Sequence, residues 1–207
     1  MFSTRMISRL AVAVLAVAGG AVQAQAVKAP EVLIKEVSVD VLEAVRADKA
    51  IQAGDVQKVI ALVDAKVMPY VNFQRMTSSA VGRYWRQATP EQQKRLQDEF
   101  KALLMRTYSG ALAQVKDQTV QIKPMRSGAD DTEVVVKTEV RGKGDPIQLD
   151  YRLEKAATGW KIYDVNVLGV WLVENYRNSF AQEIGANGID GLITKLTERN
   201  KSAGAKS

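Results

Sequence analysis

Cysteine and histidine are both absent from the 207 residues. Without histidine the chain lacks the side chain that most often serves as general base, proton shuttle or metal ligand near neutral pH. Without cysteine there is no thiol nucleophile, no soft metal site, no disulfide and no residue for lipid attachment behind a leader. Stability must come from packing. No G-x-S-x-G elbow, P-loop or dinucleotide fingerprint occurs. Asp130 and Asp131 are adjacent acids in a turn, without the alternating oxygen ligands that a calcium loop needs. Beyond residue 26, no stretch is long and apolar enough to span a bilayer. The inventory is hostile to catalysis.

What is present begins with a leader. Arg5 and Arg9 form a basic start, Leu10 to Ala18 is a short apolar run, and Ala24-Gln25-Ala26 is an A-x-A cleavage pattern, with Val22-Gln23-Ala24 as a second. No acid precedes Glu31. Residues 1–26 therefore read as a cleavable signal peptide, too short and wrongly flanked for a spanning helix. Export without disulfides fits a bacterial periplasm better than a small secreted scaffold. The formal charge of +6 falls to +4 once Arg5 and Arg9 leave with the leader. Export and the mixing of bases with acids argue against nucleic acid as partner, and a mildly cationic surface suits anionic headgroups or acidic proteins.

The longest element is a helix from Thr89 to about Val115. Thr89, Pro90 and Gln92 form a capping box with proline at the first helical position. Leu96, Phe100, Leu103, Leu104, Thr107, Tyr108, Ala111, Leu112 and Val115 recur on one face. Before it, the spacing predicts a first helix from Val27 to about Lys49, and a second after the Gly54-Asp55 stop and cap. A third, capped by Asn72, has Gly82 inside it. After Gln118 the period becomes two. Four strands around Val120, Val134–Val140, Ile147–Leu153 and Trp160–Leu168 are joined by short turns, which implies an antiparallel meander with one covered face. A helix through Leu172, Tyr176, Phe180 and Ile184 follows, then a short one from Gly188. The reading is α+β: one domain over 27–199, N-terminal helices on a four-stranded meander, C-terminal helices, and a disordered tail over 200–207.

One enzymatic arrangement survives the inventory. Asp150-Tyr151 and Tyr163-Asp164 supply an acid and a phenol of the kind that can run proton transfer beside a carbonyl. Adjacent strand residues face opposite sides, so neither dipeptide alone builds a site. The large rings Trp85, Phe100, Tyr108, Tyr151, Trp160, Tyr163 and Trp171 serve equally as core and as pocket wall.

Met68-Pro69-Tyr70-Val71, the run from Tyr84 to Gln92, and the run from Arg106 to Leu112 resemble the MlaC family, also called toluene-tolerance Ttg2D proteins. So do Leu149–Arg152, Trp160–Val165, Asn175–Phe180 and Gly188–Leu192, in family order over roughly Val37 to Leu196. The resemblance implies an NTF2-like cone with helices closed over a curved sheet. It implies a periplasmic phospholipid carrier that maintains outer-membrane lipid asymmetry, shuttling between an outer-membrane lipoprotein–porin complex and an inner-membrane ABC-type transporter. Where the family often has Glu-Gly-Val-Ser after the last strand, this chain has Leu168-Gly169-Val170-Trp171.

On that basis the apolar positions expected to meet acyl chains are Val134, Val136, Thr138, Val140, Ile147, Leu149 and Tyr151 on the strands, with Phe100, Leu104 and Tyr108 on the long helix. Tyr70, Phe73, Met76, Val81 and Trp85 precede them, and Val165, Val167, Val170 and Trp171 close the set. Phospholipid is expected as cargo, with no cofactor, metal or catalytic residue, in a monomer that is not an enzyme. The alternatives are a small-molecule isomerase or hydrolase on the same cone, or a periplasmic interaction module without cargo.

Overall fold

The computed structural model describes residues 28–204 apart from Ser127 and Ala129; the expected signal peptide lies outside the described residues. The helices start where short polar side chains can occupy free backbone N–H groups. Asp48 caps α2 (Lys49–Gln52), Asp55 caps α3 (Val56–Lys66), and Asn72 caps α4 (Phe73–Val81). In front of α5 (Pro90–Ala113), Gln92 N donates to Thr89 Oγ1 at 3.2 Å and Thr89 N to Gln92 Oε1 at 3.0 Å, completing the capping box. The first helix, α1, spans Pro30–Ala47. Short 3₁₀ turns at Met68–Tyr70 and Gly82–Gln87 flank α4.

The strands are β1 (Thr119–Ile122), β2 (Glu133–Arg141), β3 (Ile147–Ala156), β4 (Gly159–Val167) and β5 (Val170–Trp171), followed by α6 (Leu172–Gly204). They form one antiparallel sheet in sequence order. The fifth strand corrects the expected count of four: Leu168 at φ 53° and Gly169 at φ 89° reverse the chain tightly enough for Val170 and Trp171 to pair back on β4. The rest of that edge of β4 is covered by a parallel bridge between Val71 and Ile162.

Other differences are local. Gly82 ends α4 instead of sitting inside it. It adopts φ 65°, and no atom lies within 4 Å of where a Cβ would be, so its role is backbone freedom and not close helix approach. On α5, Thr107 and Ala111 are exposed despite their spacing. The two expected C-terminal helices are both present, fused into α6 across a break at Gly188 (φ 72°, ψ −179°). The helix also continues past Asn200, where a disordered tail was expected. Asn200 is buried because its side chain donates to Glu99 O at 3.0 Å and Glu99 Oε2 at 2.7 Å on α5.

Between Arg152 and Leu153 the register shifts, and Tyr163 is the extra residue on β4. This bulge sets the faces. Trp160 and Ile162 lie on the helix-covered side with Leu153; after Tyr163, Val165 and Val167 lie on that same side with Tyr151 and Leu149. Without the extra residue, strict alternation would have put Asp164 and Asn166 inward.

Three apolar clusters fill the covered side. Leu33, Ile34 and Val37 of α1 pack on Val136, Leu153, Trp160 and Ile162 of the sheet. The rest of α1 meets α2 and α3 through Val45, Ile51, Val59 and Val63. Helices α4, α5 and α6 form the third cluster, centred on Phe100, whose ring meets Tyr176 and Phe180 edge-on at 5.1 and 5.3 Å.

Candidate functional site

The clusters share residues at their borders. Val71 and Val165 pack against both the α4–α5–α6 cluster and the α1–sheet cluster. Val41 and Val67 link the α1–sheet cluster to the α1–α3 cluster, and Met105 links the latter to α5 and α6. All five retain accessible surface. An apolar side chain surrounded by two cores would normally be sealed. The three clusters therefore meet along a seam of apolar side chains that keep part of their accessible surface.

Tyr151 stands on the sheet side of this seam. Its phenol lies deep in the protein, and burial pushes its pKa up against the pull of hydrogen bonds with Ser38 of α1 and Thr138 of β2. Yet the residue keeps accessible surface. Thr138, fully buried, donates its hydroxyl to Leu149 O at 2.6 Å, so these hydroxyls are satisfied inside an otherwise apolar wall. On the helix side, Tyr108 is half-buried and its phenol is likewise raised, first by burial and then by Tyr176.

The sequence-derived set divides by environment. Tyr151, Leu149, Val134, Val140, Val165 and Val167 share the covered sheet face and are half-buried; Phe73, Trp85 and Tyr108 are half-buried on the helices opposite. Met76, Val81, Phe100, Leu104, Val136 and Thr138 are buried outright, as filled core. Tyr70, Ile147 and Val170 are exposed, the last two at the open end of the sheet. Trp171 pairs with Asn166 and so lies on the opposite face, where the Arg152 guanidinium covers its ring at 3.9 Å. It is removed from the expected lining because the β5 hairpin turns it away. Ser38, Val41, Val67, Val71 and Met105, which the sequence reading did not single out as lining, stand beside these positions. Val41 carries a helical-stripe signal, and the others carry none beyond polarity or bulk.

The other sheet face is a polar mosaic. Arg75 of α4 pairs with Glu133 at 2.6 Å and with Glu154, and lies 3.7 Å over the Tyr163 ring. Tyr163 Oη donates to Glu133 Oε2 at 2.9 Å. The Arg75 hydrogen bond and then that of Tyr163 hold the Glu133 carboxyl below its usual range. Asp164 is buried and its pKa is raised, chiefly by desolvation, although it accepts from Val165 N at 2.9 Å and Val173 N at 3.1 Å and faces Arg152. Asp150 accepts from Gln148 at 2.8 Å. Asp150 lies on the face away from Tyr151, so that dipeptide does not converge on one site, and on the polar face the Tyr163 phenol is bonded to Glu133 and not to Asp164. Among the described residues no group of three or more acids is placed to hold a metal, and no helix is long and apolar enough to cross a membrane.

The family model described as MlaC protein matches residues 35–198. A solved structure of a phospholipid-binding protein from Ralstonia solanacearum, in complex with a phospholipid, is 49% identical and superposes with a TM-score of 0.82, covering 84% of this chain and 98% of that one. The intermembrane phospholipid transport system binding protein MlaC of Haemophilus influenzae is 25% identical over 170 residues, 80% of this chain and 79% of its own length. The toluene tolerance protein ttg2D of Pseudomonas putida is 30% identical over 128 residues, 58% of this chain and 59% of its own. The chain belongs to the MlaC family.

Proposed function

We propose that the protein is a periplasmic carrier that binds phospholipid with its acyl chains in the seam between α1, α5 and the sheet, and moves it between the two membranes. The observation that carries this reading is the set of apolar side chains, Val71, Val165, Met105 and Tyr151 among them, that stay partly accessible where the three clusters meet. Its likeness to a phospholipid-bound protein supports the choice of cargo. Each methylene removed from water is worth about 0.8 kcal/mol, so a diacyl lipid does not cross an aqueous space unshielded on a useful timescale. Against a bilayer, an apolar seam only exchanges one hydrocarbon environment for another. Transfer is then near neutral and reversible, and needs no catalytic residue.

The donor and acceptor in this reading are an outer-membrane lipoprotein–porin complex and an inner-membrane ABC-type transporter, with the leader at residues 1–26 supplying export. Transfer of a fluorescent phospholipid from quenched donor vesicles to acceptor vesicles tests it. The rate should rise in proportion to protein concentration without nucleotide; a rate equal to the protein-free background would reject the carrier reading.

A further inference from the structure

Between Asp64 and Glu91 the chain has no acidic residue and four basic ones, Lys66, Arg75, Arg83 and Arg86. Arg75 is neutralised by Glu133 and Glu154. Arg83 and Arg86 are exposed and stand three residues apart in the 3₁₀ turn Gly82–Gln87. Three residues per turn puts them on the same edge, with a rise of about 6 Å between them. Arg83 lies 4.9 Å from the Tyr84 ring centroid and donates to Tyr84 Oη at 2.9 Å, which holds its guanidinium in place. From α6, exposed Arg177 donates to Ser79 O at 3.0 Å in the last turn of α4, adding a third guanidinium beside the turn. Among the described residues none of these three arginines forms an ion pair. Tyr84 and Trp85 rest partly on the α4–α5–α6 cluster and partly reach the surface.

We propose that this corner, Arg83, Tyr84, Trp85, Arg86 and Arg177, is a docking surface for an anionic phospholipid bilayer. Planar guanidinium forks match phosphate oxygens, and two on one edge offer a repeated contact to a surface of phosphates. Tyrosine and tryptophan with one side on apolar packing and the other wet suit headgroup depth. The proposal rests on the carrier reading, in which both exchange partners sit in membranes so that the protein works beside a phospholipid surface, and it adds which corner meets that surface.

Flotation of the mature protein with phosphatidylcholine vesicles, with and without phosphatidylglycerol, tests it at low and high salt. Wild type should bind the mixed vesicles, lose binding with salt, and bind pure phosphatidylcholine poorly. Arg83→Gln/Arg86→Gln should lower binding to the mixed vesicles about tenfold or more, whereas the charge-matched Lys116→Gln/Lys143→Gln should change it less than twofold. Circular dichroism and extracted cargo should be the same in all three proteins. Equal binding by the two double variants, or no preference of wild type for anionic vesicles, would overturn the docking surface. If the arginine variant keeps vesicle binding but no longer receives lipid from a transporter complex, the corner belongs to a protein partner and the bilayer proposal also fails. None of these results removes cargo from wild type, so the carrier reading is judged separately.

Discussion

Val135 and Val136 are chemically identical neighbours that the sheet treats in opposite ways. Val136 is 0% exposed against α1, and Val135 is 39% exposed on the polar face. A glutamate at 136 must enter apolar packing charged or take up a proton. Val136→Glu should therefore cost more than about 3 kcal/mol and abolish cooperative folding, while Val135→Glu should stay within about 0.5 kcal/mol of wild type by urea denaturation. Retained stability in Val136→Glu would mean that water reaches this part of β2. Asp164 yields a second prediction at this scale. Its folded-state pKa is raised by burial, so the stability it contributes is complete below the ordinary aspartate value and is lost as pH rises through the elevated one. Glu133, Glu139 and Glu183 are lowered and act in the opposite sense, but they are common to wild type and variant. The wild-type urea midpoint, measured relative to that of Asp164→Asn, should fall across that window. A difference independent of pH would show that burial does not perturb this carboxyl.

At the scale of elements, what was legible and what was not follow from range. The caps at Asp55, Asn72 and Thr89 are local chemistry, and all three appear where the sequence places them. Period-two alternation likewise marks β2 and β3. The bulge at Tyr163 has no local signature, yet it decides that Val165 faces inward and Asp164 outward. The side taken by Trp171 depends on the β5 hairpin in the same way, and burial of Asn200 depends on Glu99 a hundred residues earlier in the chain. Two elements can be tested directly. Thr89→Ala removes half the capping box of α5 and should lower stability by about 1 kcal/mol, read from the urea midpoint with an unchanged slope. Gly188 occupies φ 72°, ψ −179°, a region open essentially to glycine alone, and its break lets Leu192, Ile193 and Leu196 turn back onto the α4–α5 cluster. Gly188→Ala should cost about 1–3 kcal/mol although the site has room for a methyl group. No loss of stability would mean that α6 tolerates a straight path.

Across the whole molecule, the apolar side chains that stay partly accessible where the three cores meet are surface that a bound cargo would remove from water. They are well explained by a cargo that completes the interior when bound. A ligand bound only by the folded state also raises apparent stability in proportion to its occupancy, so delipidated protein should unfold at lower temperature than protein taken gently from cells. The decisive observation is native mass spectrometry of the exported protein, purified without detergent, followed by solvent extraction of the same sample. A carrier should appear as a near-stoichiometric complex whose added mass matches diacyl phospholipid recovered in the extract. The bare chain alone, with no lipid recovered under conditions that preserve the fold, would contradict cargo binding and leave a protein whose seam serves some other end.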